Sequence, residues 1–179
     1  MTASATRPRV VLTGFMGSGK STVGRALAAA LGVDYVDTDA DIERRFGRSI
    51  PVLFADGEAA FRAAERDTVL DVLASSDGVV ALGGGSVTVP EIAQALAGQY
   101  VVYLEISAAD GYARVADSDR PLLADPDPAA RYAQLLAART GTYRAVATQT
   151  VDAARPVPEV VAAILAALPE PPTGPPIAG

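Results

Sequence analysis

The run Gly14-Phe15-Met16-Gly17-Ser18-Gly19-Lys20-Ser21 satisfies the phosphate-loop pattern G-x-x-x-x-G-K-[ST] at every fixed position. Each fixed residue type has a task in holding a polyphosphate. Glycines at 14, 17 and 19 let the backbone wrap closely and aim N–H groups inward, where they join the positive N-terminus of a following helix. The Lys20 ammonium neutralises the terminal phosphates, and the Ser21 hydroxyl is a ligand for Mg²⁺. A glycine-rich turn that binds nothing is the plainer reading of the same residues. The flanks favour the phosphate loop. Val10-Val11-Leu12 predicts a short buried strand before it, and Ser21 to Leu31 carries Val23, Leu27 and Leu31 at four-residue spacing, as a helix burying one face would.

Two carboxylates come next. Gly32 stops the helix and Val33 to Val36 predicts a second strand, ending in Asp37-Thr38-Asp39. Residues two apart on a strand share a side, so both carboxylates can face the space beyond the strand's carboxyl end, where open α/β sheets bind ligands. One then holds metal and the other a substrate hydroxyl. In the alternative, Asp39 caps a helix from Ala40 to Phe46 and Asp37 is a solvated turn residue. The phosphate loop upstream tips the balance toward chemistry.

The remaining candidates each carry two readings. Val79 to Leu82 predicts a central parallel strand that ends in Gly83-Gly84-Gly85. That triplet either brings backbone N–H groups to a ligand or forms a tight, mobile turn. Glu58 to Leu73 predicts a helix on which Glu58 and Arg62 stand i, i+4, a surface pair worth only about 0.3–0.5 kcal/mol. Arg44, Arg45 and Arg48 read as solvated, with Asp41 and Arg45 another such pair. Arg120 is the single cation in the proline-punctuated stretch from Asp117 to Pro128. In a phosphoryl transferase an arginine on such a lid stabilises charge spread over the transferring group; a surface residue beside Asp117 and Asp119 fits equally well.

The elements that must position these groups alternate in a βα rhythm. Ser49 is placed to cap a short helix holding Leu53 and Phe54; Pro90 starts a helix ending near Gly98; Tyr100 to Ile106 is a strand; Ala108 to about Ala116 is a helix. Ala129 to about Tyr143 is a helix bearing Arg131, Arg139 and Arg144, Thr148 to Asp152 a short strand, and Pro158 to Leu168 the last helix. Met1 to Pro8 is expected to fray, and the proline-rich stretch 169–179 to be a disordered tail.

Composition limits the chemistry. The 179 residues suffice for one cored domain, half of them hydrophobic and 20% charged. A net charge of -6 and a pI near 4.6 disfavour a nucleic-acid partner. With no Cys and no His, thiol nucleophiles, imidazole bases and the usual zinc ligands are excluded, so acid/base work falls to Asp, Glu, Lys, Arg or Tyr. No apolar run approaches the ~18 residues of a membrane span, and Met1 to Arg9 lacks a signal-peptide core, so a cytoplasmic protein without a membrane partner is expected.

From Arg9 to Leu168 the sequence resembles the shikimate kinases. The resemblance is carried by GFMGSGKST, DTD followed by DIE, GEAAFRAAE, ALGGGSV, RPLL and AARTGTYR, in that order. The phosphate loop alone is common to many NTPases; the ordered set joins nucleotide and acceptor elements found together in this family. It implies a three-layer P-loop NTPase-type α/β fold with a five-stranded parallel sheet of order 2-3-1-4-5. It further implies one kinase domain, with a core at about 9–168, an acceptor region within 33–74 and a lid at 116–128, acting as a monomer. The implied reaction is ATP-dependent phosphorylation of the shikimate 3-hydroxyl. By resemblance, Met16, Gly17, Ser18, Gly19, Lys20, Ser21 and Thr22 hold ATP and Mg²⁺, with Asp37 near the metal through water. Asp39 contacts the acceptor hydroxyls and is the candidate base, with Lys20 and Arg120 as catalytic cations. Arg62 and Arg139 hold the shikimate carboxylate beside Gly83, Gly84 and Gly85, Glu65 orients Arg62, and Phe54 and Phe61 wall the pocket. Arg120 reaches ATP, while Arg114, Arg155 and Pro158 flank adenine. A gluconate-type kinase and a catalytically silent shikimate-binding relative are the alternatives.

Overall fold

The computed structural model describes residues 7–118 and 123–170. Asp119 to Leu122 of the predicted lid, Arg120 among them, the first six residues and the end of the predicted tail lie outside it. Among the described residues, β1 (Val10–Thr13) leads through the glycine-rich loop into α1 (Lys20–Leu31), followed by β2 (Tyr35–Asp37), α2 (Thr38–Phe46), α3 (Ile50–Ala55) and α4 (Glu58–Ser75). Then come β3 (Val79–Ala81), a 3₁₀ turn at Ser86–Thr88, α5 (Pro90–Ala95), β4 (Val101–Glu105), α6 (Ala108–Val115), α7 (Pro128–Val146), β5 (Gln149–Asp152) and α8 (Val157–Ala167). The strands form one five-stranded sheet of order β2-β3-β1-β4-β5, as expected, and every pairing is parallel.

Period-two alternation divides the central strands between two cores. Val11, Val80, Leu82, Val101 and Tyr103 face α4, α5 and α7, where Val69, Ile92 and Tyr143 meet them. Val10, Leu12, Val79, Val102 and Leu104 face α1 and α8, packing on Val23, Leu27, Val160 and Ile164. Sheltered on both faces, these strands can be continuously apolar. Because all five run the same way, their carboxyl ends open onto one rim, and the loop after β1 lies where the chain crosses from the β3 side to the β4 side.

Several predicted boundaries move. The second strand is Tyr35–Asp37, not 33–36, and its helix starts at Thr38, not Ala40. Ser49 stands at the N-cap of α3 without a side-chain cap bond; Glu43 instead takes the Ile50 N–H at 2.8 Å. Arg44, Arg45 and Arg48 are surface residues paired with Asp41, with Asp41 and Asp71, and with Asp56.

The β2–β3 register depends on a backbone crossing. The Val79 N–H donates to Asp34 O at 2.9 Å, and a Cβ at Gly78 would collide with that same carbonyl group. A backbone atom cannot swing aside as a side chain can. Gly78→Ala should therefore cost about 1–3 kcal/mol, read as a lower urea midpoint with an unchanged m value.

Candidate active site

The loop after β1 closes around its own backbone. Gly17 and Gly19 both sit at φ 84, the left-handed region that residues with a Cβ rarely enter. The Lys20 ammonium, in the first turn of α1, donates to Gly14 O at 2.7 Å and Phe15 O at 3.2 Å, which holds it over the loop. The loop contributes Met16, Gly17, Gly19, Lys20, Ser21 and Thr22 to the lining of a cavity of about 940 Å³ at the carboxyl rim of the sheet. Ser18 is the exception: it is 1% exposed, and its buried hydroxyl has no hydrogen-bond partner among the described residues.

Asp37 and Asp39 share the cavity, but not as neighbours on one strand face. Asp37 ends β2 and caps α2, its Oδ1 accepting the N–H groups of Asp39 at 3.0 Å and Ala40 at 3.3 Å. Its Oδ2 accepts the Ser21 hydroxyl at 3.0 Å and the Tyr35 hydroxyl at 3.3 Å. The cap is thus Asp37 and not Asp39, because the helix begins two residues earlier than predicted. Asp39, released from capping, projects from the first turn. Burial pushes its carboxyl up to about 6; Lys20 opposes the shift, and Asp37, Glu65 and Glu43 reinforce it. Ser21 Oγ and Asp37 Oδ2 form a hard-oxygen pair, the donor set suited to a Mg²⁺ ion that keeps most of its water and takes its other ligands from phosphates.

Two guanidinium groups, those of Arg62 and Arg139, also line the cavity. Arg62 has 21% side-chain exposure and lies 2.6 Å from Glu65 but 3.7 Å from Glu58, so the predicted surface pair is the weaker of its two contacts. Glu65 is 1% exposed and also accepts the Ser86 hydroxyl at 2.7 Å, so both its oxygens are engaged. Phe54 and Phe61, centroids 5.4 Å apart, both lie beneath the Arg62 guanidinium. Arg139 on α7 donates to Gly84 O at 3.4 Å and sits 5.3 Å above the Phe15 ring.

The glycine triplet runs between these groups, and close approach explains it better than backbone freedom does. None of the three has positive φ. A Cβ at Gly83 would lie 2.5 Å from Asp39 Oδ1, and one at Gly85 would lie 2.7 Å from an Arg62 terminal nitrogen. The Gly83 N–H is taken by Thr38 Oγ1 at 3.1 Å, and Tyr143 donates its hydroxyl to Gly84 O. Burial holds the Tyr143 proton well above the usual phenol range.

Comparison with known proteins decides the family. The shikimate kinase family model matches residues 16–169. A shikimate kinase from Mycobacterium tuberculosis (strain ATCC 25177 / H37Ra) is 56% identical over 156 residues, covering 86% of this chain and 89% of its own. The chain belongs to the shikimate kinase family. Among solved structures, shikimate kinase from Acinetobacter baumannii in complex with shikimate superposes with a TM-score of 0.84 at 35% identity, over 90% of this chain and 92% of its own. A gluconokinase from Sinorhizobium meliloti 1021, at 22% identity, TM-score 0.60 and 93% coverage of both chains, shares the fold alone.

The residues expected near adenine divide between the cavity and the surface. Arg114 on α6 lines the cavity, and it donates to Gly17 O at 3.1 Å and Ala153 O at 2.9 Å, joining the phosphate loop to the segment after β5. Arg155 and Pro158 are not among the lining residues: Arg155 pairs with Glu159 at 2.9 Å, and Pro158 is an exposed residue of the first turn of α8. Sequence reasoning missed Ile50, Pro51 and Ala55, which bring α3 over the cavity, and the supports Thr38, Ser86 and Tyr143. The i, i+4 spacing of Ile50 and Phe54 was a usable signal for α3; the supports have none, since their partners are distant in sequence.

Burying Asp39 should show in stability. Its folded value of about 6 exceeds the ordinary 3.8, so the native state holds its proton more tightly, an advantage complete below 3.8 and lost as pH rises through 6. At pH 8 the charged, half-buried carboxylate is a burden of on the order of 1–2 kcal/mol, discounted for its remaining contact with water. Asp39→Asn should therefore raise the melting temperature at pH 8, with the gain over wild type shrinking toward pH 4 in pH-resolved thermal melts.

Proposed function

We propose that this chain transfers the γ-phosphoryl group of ATP to the 3-hydroxyl of shikimate, giving shikimate 3-phosphate and ADP for aromatic amino acid (chorismate) biosynthesis. The observation that carries the reading is one cavity whose lining includes Lys20, Ser21, Asp39, Arg62 and Arg139 together. Family membership and the shikimate named in the Acinetobacter baumannii complex support the choice of acceptor.

The two arginines suit a carboxylic acid. Each is a planar fork of N–H donors, and the pair offers a directional clamp at one edge of a small acid. Glu65 keeps Arg62 turned toward the cavity, Phe54 and Phe61 wall the acceptor, and the N–H groups of Gly84 and Gly85 add donors beside the clamp. With its carboxylate so fixed, the acceptor presents a hydroxyl toward the phosphate loop. Asp39 orients that hydroxyl and takes its proton as the oxygen bonds to the γ-phosphorus; the β,γ-bridging bond breaks and ADP leaves with the electron pair. Positioning and charge stabilisation supply most of the acceleration in such a transfer, so no His or Cys is required.

Lys20, the loop N–H groups and the α1 N-terminus hold the phosphates; Ser21 and, through water, Asp37 would hold Mg²⁺, whose chemistry is to neutralise phosphate charge. Arg114 borders the nucleotide, and Arg120, outside the described residues, is assigned to the lid by the family resemblance. Arg155 and Pro158 are left outside the site. The enzyme is read as a cytoplasmic monomer, with neither a nucleic acid nor a membrane as partner; no helix among the described residues is long and apolar enough to cross a membrane. A gluconate-type kinase shares the fold, but the pairing of Arg62 with Arg139 and the glycine triplet at 83–85 argue against that reading.

ADP release with shikimate, with gluconate and with no acceptor tests the reaction: only shikimate should stimulate it, and equal stimulation by gluconate would overturn the acceptor assignment. Asp39→Asn should lower kcat by about 10²–10⁴. In the wild type, kcat/KM should fall as pH drops through about 6, where Asp39 takes up its proton. Arg139→Ala should raise the shikimate KM at least tenfold, in line with losing one charge-assisted bidentate contact, and move the ATP KM less than threefold.

A further inference from the structure

Inside the phosphate loop, the peptide joining Met16 to Gly17 is held from outside the loop. Tyr132, on α7 and 0% exposed, donates its hydroxyl to Met16 O at 2.6 Å across a sequence separation of 116 residues. Its ring meets Phe15 edge-on, with centroids 4.9 Å apart. The hydroxyl reaches the loop by passing over Gly111 of α6, where a Cβ would overlap it. Gly111 O in turn fills the space a Cβ at Gly17 would need, at 2.6 Å.

A trans peptide points its C=O and N–H in opposite directions. Tyr132 belongs to the apolar core beneath the loop, so drawing Met16 C=O toward it sends the Gly17 N–H the other way, toward the cavity that Met16 and Gly17 line. The local chain does not make that choice. Glycine is indifferent to the sign of φ, so this peptide can turn over at little cost, carrying Gly17 from φ 84 to the negative side and its N–H away from the cavity.

We propose that Tyr132 is a positioning residue for nucleotide binding: its hydroxyl locks the Met16–Gly17 peptide in the orientation that offers the Gly17 N–H to a phosphate. The inference rests on the reading of the loop as a phosphate site. It assigns α7 two tasks, since the same helix carries Arg139 to the acceptor end.

The test is calorimetric titration of Mg·ADP into wild type, Lys20→Ala, Tyr132→Phe, Gly111→Ala and the double variant, with thermal melts and steady-state KM values for both substrates. Tyr132→Phe, which removes one oxygen, should weaken ADP about five- to tenfold, the scale of one buried hydrogen bond, and leave the shikimate KM within twofold. Gly111→Ala should displace the hydroxyl, and the ring carbon that bears it, and weaken ADP at least as much; combined with Tyr132→Phe it should give less than the sum of the two losses, since both changes break the same bond. Unchanged ADP binding in Tyr132→Phe, fully additive losses in the double variant, or equal loss of both substrates with a lower melting temperature would overturn the proposal. Failure of wild type to bind ADP, or undiminished binding by Lys20→Ala, would overturn the phosphate reading of the loop, and this inference with it.

Discussion

The Asp37 carboxylate joins two helices at their N-termini. One oxygen takes the first-turn N–H groups of α2, and the other takes the hydroxyl of Ser21 in the first turn of α1. Two positive helix ends therefore converge on a single anion at the rim of the sheet. The consequences are geometric. The cap fixes where α2 starts, and hence where Asp39 projects. The bond to Ser21 directs the hydroxyl proton toward Asp37. Phosphate loop and candidate base are held in register through one side chain of ordinary type.

Charge at the acceptor end follows a similar economy. Glu65 is buried with both oxygens bonded, so it can hold Arg62 without competing for a ligand in the cavity. Its negative charge also helps raise the proton affinity of Asp39. The carboxylate that holds Arg62 thus also contributes to a neighbouring carboxyl group whose pKa is raised to about 6. Close packing tightens the arrangement further: glycine at 83 and 85 lets the backbone pass against Asp39 and Arg62 at distances no side chain would permit.

Legibility in the sequence tracked distance along the chain. The phosphate loop is contiguous, and each fixed position has a local reason, so it was read directly. The central strands were also readable, because a parallel strand buried on both faces shows as a short continuous apolar run. Asp37 and Asp39 were identified as a pair, yet their roles at the helix start were misplaced by two residues, the usual uncertainty of a boundary when two acceptors compete for one cap. Arg62 looked like a surface ion pair by spacing alone; only the family resemblance assigned it to the acceptor, and its stronger partner is one turn on. Arg155, placed at adenine by resemblance, pairs with Glu159 in the structure.

By itself the sequence determined a phosphate-binding loop on a strand–helix junction, a parallel α/β sheet, and a reaction without imidazole or thiol. These follow from short-range sterics, from periodicity and from which side chains exist. The tertiary structure alone decided that Thr38 would meet Gly83, that Ser86 would meet Glu65, and that Tyr132 and Tyr143 would reach the backbones of the phosphate loop and the glycine triplet. Those contacts join residues from 21 to 116 positions apart. No local propensity encodes them; they exist because parallel strands gather their carboxyl ends on one rim and the helices packed beside them bring distant side chains to it.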